Sequence, residues 1–224
     1  MTENWNLIGN EWAVDMLKKH VANGTTRHAY LLAGPPGVGR RTLALRFAQA
    51  LNCQTPIEAG VPCGQCRDCR QIGAMQHADL SVIEPTIKDP NSPKELIPAP
   101  NGEIRIQQIR ELQKTINLKP YQSRYRVLIF LRFQQANIEA CNALLKTLEE
   151  APSYAVLILT ADNPEQLLPT IVSRCEVLRL RPLRVEEVQK ELENRGLETD
   201  RAKLIAHLSG GRFGYALRLL EDES

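Results

Sequence analysis

Apolar and polar residues alternate along the chain with two different periods. Residues 11–22 (EWAVDMLKKHVA) repeat apolar side chains near helical spacing at Trp12, Val14, Leu17 and Val21, which predicts an amphipathic helix. Residues 28–34 (HAYLLAG) are a short apolar run closed by glycine, the pattern of a buried parallel strand. Similar runs at 78–84, 126–131, 154–162 and 175–182 predict four more strands. Helical stretches separate them. TLALRFAQALNC is one. IRIQQIRELQKTINLKP carries Ile106, Ile109, Leu112 and Ile116 on one face, and NIEACNALLKTLEEAP carries Ile138, Cys141, Leu144, Leu145 and Leu148. Strands alternating with helices predict an α/β fold, a parallel sheet with helices on both sides.

Two stretches break this rhythm. Pro85, Pro90, Pro93, Pro98 and Pro100 crowd residues 85–100. Proline removes a backbone donor, so this density predicts an exposed loop without regular structure. After Pro182 the strand signals stop. VEEVQKELENRG, DRAKLIAHLSGG and FGYALRLLEDE predict a small all-helical second domain, dividing the chain into residues 1–182 and 183–224.

Composition changes this picture little. The chain has 224 residues, enough for one large or two small domains, and a formal net charge of +2. Nothing global demands nucleic acid. Arg124, Arg126, Lys146, Arg179 and Arg181 are scattered, and a solvated surface explains most of them. No basic stripe interleaved with aromatics appears, so any DNA contact is expected to be to phosphates, weak and salt-sensitive. There is no run of 18 apolar residues and no basic-then-apolar N-terminus, which predicts a cytoplasmic protein without a membrane span.

The cysteines add chemistry. Cys53, Cys63, Cys66 and Cys69 are spaced C-x9-C-x2-C-x2-C, with Gly60, Pro62 and Gly64 supplying turns. Four thiolates surround one ion tetrahedrally, and zinc suits them in a closed, structural site. An iron–sulfur cluster takes the same ligands. Zinc is the expectation because nothing else here suggests electron transfer. The cluster would hold a surface excursion at about 53–69. Cys141 and Cys175 fall on a helix face and at a strand start, as core residues do.

The glycine-rich turn GPPGVGRRT (34–42) sits between a predicted strand and helix, where a phosphate-binding P-loop belongs. Gly34, Gly37 and Gly39 preserve the cradle. The pattern G-x-x-x-x-G-K-[ST] then requires lysine and a hydroxyl, and Arg40 and Arg41 stand there instead. Arginine keeps the charge as a planar fork, but Arg41 has no oxygen for Mg²⁺. Thr42 is displaced by one position, about 100° around the helix. Acidic residues that organise Mg²⁺ are expected at the end of the third strand, where the sequence has Leu131 and Arg132. Two independent requirements fail together, so productive ATP binding is not expected.

Four segments carry a family resemblance: the opening W-x-L-I-G, the four-cysteine insert, NALLKTLEEAP (142–152) and LLPTIVSRCEVLRL (167–180). Over nearly the whole chain the sequence resembles the bacterial clamp-loader AAA+ proteins, the delta-prime and gamma/tau subunits of DNA polymerase III. The resemblance implies a P-loop AAA+ domain followed by a helical lid. It implies a role in loading the sliding clamp on primed DNA, alongside gamma/tau and delta subunits and with no membrane partner. With Arg40, Arg41, Leu131 and Arg132, the chain resembles the nucleotide-silent delta-prime type more than the hydrolysing gamma/tau type. The S-R-C motif implies that Arg174 serves as an arginine finger on a neighbouring subunit's ATP. Where the family's lid has a sensor arginine, in a G-S-x-R-x-A-L context, this chain has G-R-F-G-Y-A-L, with Gly214 in its place and Arg212 offset. Thr160 and Asn163 occupy the phosphate-sensor region as turn and cap residues. The family also has a third, collar domain that these 224 residues do not include, leaving a truncation and a naturally short relative both open. An active gamma/tau-type ATPase and a zinc-dependent interaction module outside replication are the competing functions.

Overall fold

The computed structural model describes residues 4–222 apart from 91, 93 and 94. Five parallel strands form the central sheet: β1 (Ala29–Ala33), β2 (Leu80–Ile83), β5 (Arg126–Phe130), β6 (Ala155–Ala161) and β7 (Glu176–Arg179). Their order is β2-β5-β6-β1-β7. β1 lies between β6 and β7, with Leu31 opposite Leu159 on one side and Val177 on the other. β1 and β6 are buried along their full length, as strands covered on both faces must be.

Alternate strand residues feed two apolar cores. Tyr30, Leu32, Val127, Ile129 and Ile158 face α1 (Glu11–Ala22) and α2 (Arg40–Asn52). Leu31, Leu128, Phe130, Leu157 and Leu159 face α4 (Ile106–Ile116) and α5 (Ile138–Glu150). The predicted helices on both sides of a parallel sheet are thus observed. Two predicted core residues are not in the core. Trp12 is 47% exposed and Ile138 is 56% exposed. In α1 the inward face is Ala13, Val14 and Leu17, and Ile138 opens α5 outside its packed stripe. The buried tryptophan is Trp5, which stacks on Phe47 at 6.4 Å and donates its indole N–H to the Gly60 carbonyl.

The proline-rich stretch is also corrected. It contains a short antiparallel hairpin, β3 (Thr86–Lys88) with β4 (Leu96–Pro98). Its base is closed by reciprocal backbone bonds between Thr86 and Glu103. Three-residue strands need few donors, and Pro98 sits in a two-stranded pair where one missing N–H is tolerated. Pro93 lies outside the described residues.

The cysteine segment adds α3 (Arg67–Gly73), and α6 (Pro169–Val172) precedes β7. Three C-terminal helices, α7 (Val185–Asn194), α8 (Thr199–Ser209) and α9 (Phe213–Asp222), pack around their own cluster of Val188, Leu192, Ala202, Ile205, Ala206 and Ala216. No described helix is long and apolar enough to cross a membrane.

Candidate functional site

The glycine loop leaves the C-terminal end of β1 and runs into α2. The Gly34 N–H donates to the Ala161 carbonyl, tying the loop to β6. Gly39 caps α2 at φ 96°. This is the geometry that aims a helix N-terminus at an anion. The first charge of that helix is turned inward. Arg40, the first residue of α2, has a side chain only 10% exposed, and its Nη2 lies 2.7 Å from Asp162 Oδ1, just past β6. Its Nη1 is buried without a hydrogen-bond partner among the described residues. Arg41 points elsewhere, with Nη2 3.0 Å from Met75 Sδ. Thr42 is exposed.

At the end of β5, Leu131 is buried, and its hydrocarbon side chain offers no ligand. Arg132 adopts a left-handed backbone (φ 53°), donates its N–H to Thr160 Oγ1, and reaches Glu84 after β2 at 3.9 Å. Carboxylates therefore do stand at this edge of the sheet, just after β2 and β6, but each faces an arginine. Asp162 was not apparent from the sequence, because the partner it takes is set by a strand crossover. Asn163 caps the following turn through Glu165 N–H.

The lid helices close the loop from above. The Gly214 N–H, in the first turn of α9, donates to the Gly37 carbonyl at 2.8 Å. Gly37 has φ 91°, and a Cβ there would come within 2.9 Å of the Tyr215 nitrogen. A cavity of about 170 Å³ remains between Leu7, Gly39, Thr42, Arg195, Phe213 and Leu217. Ligand pockets are usually about 300–1,000 Å³, so this one is small for its kind. Arg212 bonds the Ser209 carbonyl and lies over the Tyr215 ring.

Arg174 stands on another edge. It follows α6 and precedes β7, which runs parallel to β1. It therefore lies at the N-terminal side of a sheet whose C-terminal side carries the glycine loop. The strand alone separates them by about 13 Å at 3.3 Å per residue. Its Nη2 is 2.6 Å from Glu149 Oε1 and its Nη1 donates to the Thr170 carbonyl at 2.9 Å.

The four cysteines converge. The sulfur atoms of Cys53, Cys63, Cys66 and Cys69 all lie within 4.8 Å of one another. Cys53–Cys63 is 3.5 Å, and Cys53–Cys66 and Cys63–Cys69 are 4.0 Å each. A tetrahedral ion with bonds of about 2.3 Å sets its sulfurs roughly 3.8 Å apart, so the donor set fits one ion. Backbone N–H groups of Cys63, Gln65, Cys66 and Cys69 point at sulfur, as suits thiolates. Burial raises Cys53 and Cys69. At Cys63 burial also pushes upward, but bonds from Thr55, Cys66 and Gln65 outweigh it and bring the thiol down to about 6. Cys141 is buried and Cys175 half-buried beside the second core.

A buried polar network, not apparent from sequence, ties this insert to the sheet. Asp68 of α3 meets His77 at 3.4 Å, and Ser123 Oγ reaches both. Asp79 accepts the backbone N–H groups of Tyr121, Gln122 and Ser123. Arg126, read from sequence as solvated, instead faces Asp79 at 3.4 Å with its side chain 11% exposed.

A sequence profile described as "DNA polymerase III, delta subunit" matches residues 9–184. The chain is 37% identical over 187 residues to DNA polymerase III subunit delta' of Pseudomonas aeruginosa, covering 82% of this chain and 53% of that one. It is 31% identical over 189 residues to subunit tau of Escherichia coli, covering 84% and 27%. Among solved structures, a DNA polymerase III gamma subunit-related protein from Thermotoga maritima superposes with a TM-score of 0.55 at 22% identity, over 88% of this chain and 57% of that one. The chain thus spans between about a quarter and half of the curated relatives it matches. Profile, relatives and the P-loop α/β architecture agree: the chain belongs to the delta-subunit family of DNA polymerase III, within the clamp-loader AAA+ proteins.

Proposed function

We propose that this chain is a nucleotide-silent, delta-prime-like clamp-loader subunit. It works with gamma/tau and delta subunits to load a sliding clamp on primed DNA, and it lends Arg174 to a neighbour's ATP. One observation carries the silent reading. The cation at the lysine position is engaged by Asp162 at 2.7 Å, so its charge is spent inside the protein and an added phosphate would meet a carboxylate. Arg132 at the end of β5 removes the Mg²⁺-organising acid. Arg174 lies on the far side of the sheet from its own loop, so any contact with a phosphate is to a second subunit. There it would stabilise charge developing on the transferred phosphoryl group. The four-cysteine site holds zinc in a structural role, and takes no part in the reaction.

Titrating the chain with ATP and Mg²⁺ by calorimetry tests the reading. No binding into the millimolar range is expected. A second reading, an active gamma/tau-type ATPase, is favoured by the partnerless Nη1 of Arg40, a donor that a phosphate oxygen could satisfy. Mg²⁺-dependent binding with hydrolysis by the isolated chain would establish that reading instead.

A further inference from the structure

An ion pair, Arg174 with Glu149, links the helix that ends in LEE to the S-R-C turn. Arg174 is held on two sides. Its Nη1 folds back to the Thr170 carbonyl four residues earlier, and its Nη2 takes the carboxylate of Glu149. Glu149 lies in the last turn of α5, beside Glu150, with no basic residue in that turn. Acids at a helix C-terminus oppose the helix dipole, so helix stability does not account for Glu149 there. Nor does the pair stabilise the fold much. Both side chains are substantially exposed, 36% and 52%, and exposed ion pairs contribute little. What the contact does fix is direction. An arginine side chain has many rotamers, and two anchors select one of them.

We propose that Glu149 is a positioning residue for Arg174: it holds the guanidinium aligned before a neighbouring subunit's ATP arrives, then yields it to the phosphate. The inference rests on the arginine-finger reading above. A solvent-exposed pair suits such a hold, because it orients the side chain yet exchanges readily for a phosphate oxygen, which carries more charge in a drier site. A buried pair would orient as well but would not let go.

The test uses the full chain assembled with its ATP-hydrolysing partner subunits, comparing Arg174→Ala, Glu149→Ala, Glu149→Gln and the Glu149→Ala/Arg174→Ala double variant. Steady-state ATP hydrolysis gives kcat and KM, and sedimentation gives assembly affinity. Expected is a loss in kcat of tenfold or more for Arg174→Ala, in the direction of the about 10³–10⁵ of trans-acting fingers. Glu149→Ala should lower kcat about three- to fivefold with KM and assembly unchanged. Glu149→Gln, which keeps an acceptor oxygen, should recover part of that loss, and the double variant should be no worse than Arg174→Ala. If Arg174→Ala is impaired while Glu149→Ala matches or exceeds the unmodified chain, or if the two losses multiply, the positioning role is overturned and the finger survives. If Arg174→Ala hydrolyses normally, the finger reading itself falls. A Glu149→Ala chain that fails to assemble leaves Glu149→Gln to decide: an assembled glutamine variant with lowered kcat at unchanged KM supports positioning, and one at unmodified kcat, or one that loses assembly, overturns it.

Discussion

At Gly37 one hydrogen atom does the work of a side chain. The residue holds φ 91° with α9 pressed against it. Gly37→Ala should therefore cost about 1–3 kcal/mol in urea unfolding. Gly24→Ala, also at positive φ but facing open space, should cost only the lower end of that range. Tyr30 gives a second prediction at this scale. Burial pushes its hydroxyl up to about 12, against a smaller lowering by the Arg27 N–H. The unfolded phenol ionises near pH 10. Between pH 10 and 12 the unfolded chain loses this proton and the folded chain keeps it, so stability falls as pH rises. Below pH 10 this contribution is complete. Tyr30→Phe should flatten the alkaline limb of a stability–pH profile without changing its shape below pH 9. Individual residues were the hardest scale to read in advance. Arg40 and Arg132 were visible as substitutions for expected groups, but Asp162 and Glu84 acquire their partners only through strand order. Trp12 was read into the core while the buried tryptophan is Trp5, because helical spacing says nothing about a tryptophan outside the helix.

Elements were far more legible, because the sheet is buried on both sides and its strands announce themselves as apolar runs. All five parallel strands lie within the predicted segments. The hairpin at β3–β4 was hidden by its prolines, since its stability comes from the distant pairing of Thr86 with Glu103. Helix α3 was hidden inside the cysteine spacing. That insert makes its own prediction. One metal ion per chain should be found by elemental analysis, colourless as zinc is; visible absorption would signal an iron–sulfur cluster. Chelation, or Cys66→Ser, should remove the ion and cost about 2 kcal/mol or more, a fall of roughly 4–8 °C in Tm for a chain of this size. The polar network of Asp68, His77 and Ser123 means that loosening α3 also disturbs the start of β5.

Across the whole molecule, the Gly214 N–H to Gly37 carbonyl bond joins the C-terminal helices to the glycine loop. In hydrogen exchange, the Gly214 amide should be protected, and equally so with and without ATP and Mg²⁺. Nucleotide-dependent protection there would contradict the silent reading. The Arg40–Asp162 pair has a consequence of a different kind, for the history such a loop can have. Lysine alone at position 40 would leave Asp162 facing incoming phosphate. Removing Asp162 alone would strand a nearly buried guanidinium. A hydroxyl at 41 has nothing to bind while Arg132 occupies the acid's position. On the silent reading, none of these three single changes would restore a phosphate site by itself, and two of them would carry a cost. If the silent reading holds, the pair would act as a ratchet: with Arg40 and Asp162 locked together, return to a phosphate site would need several changes at once.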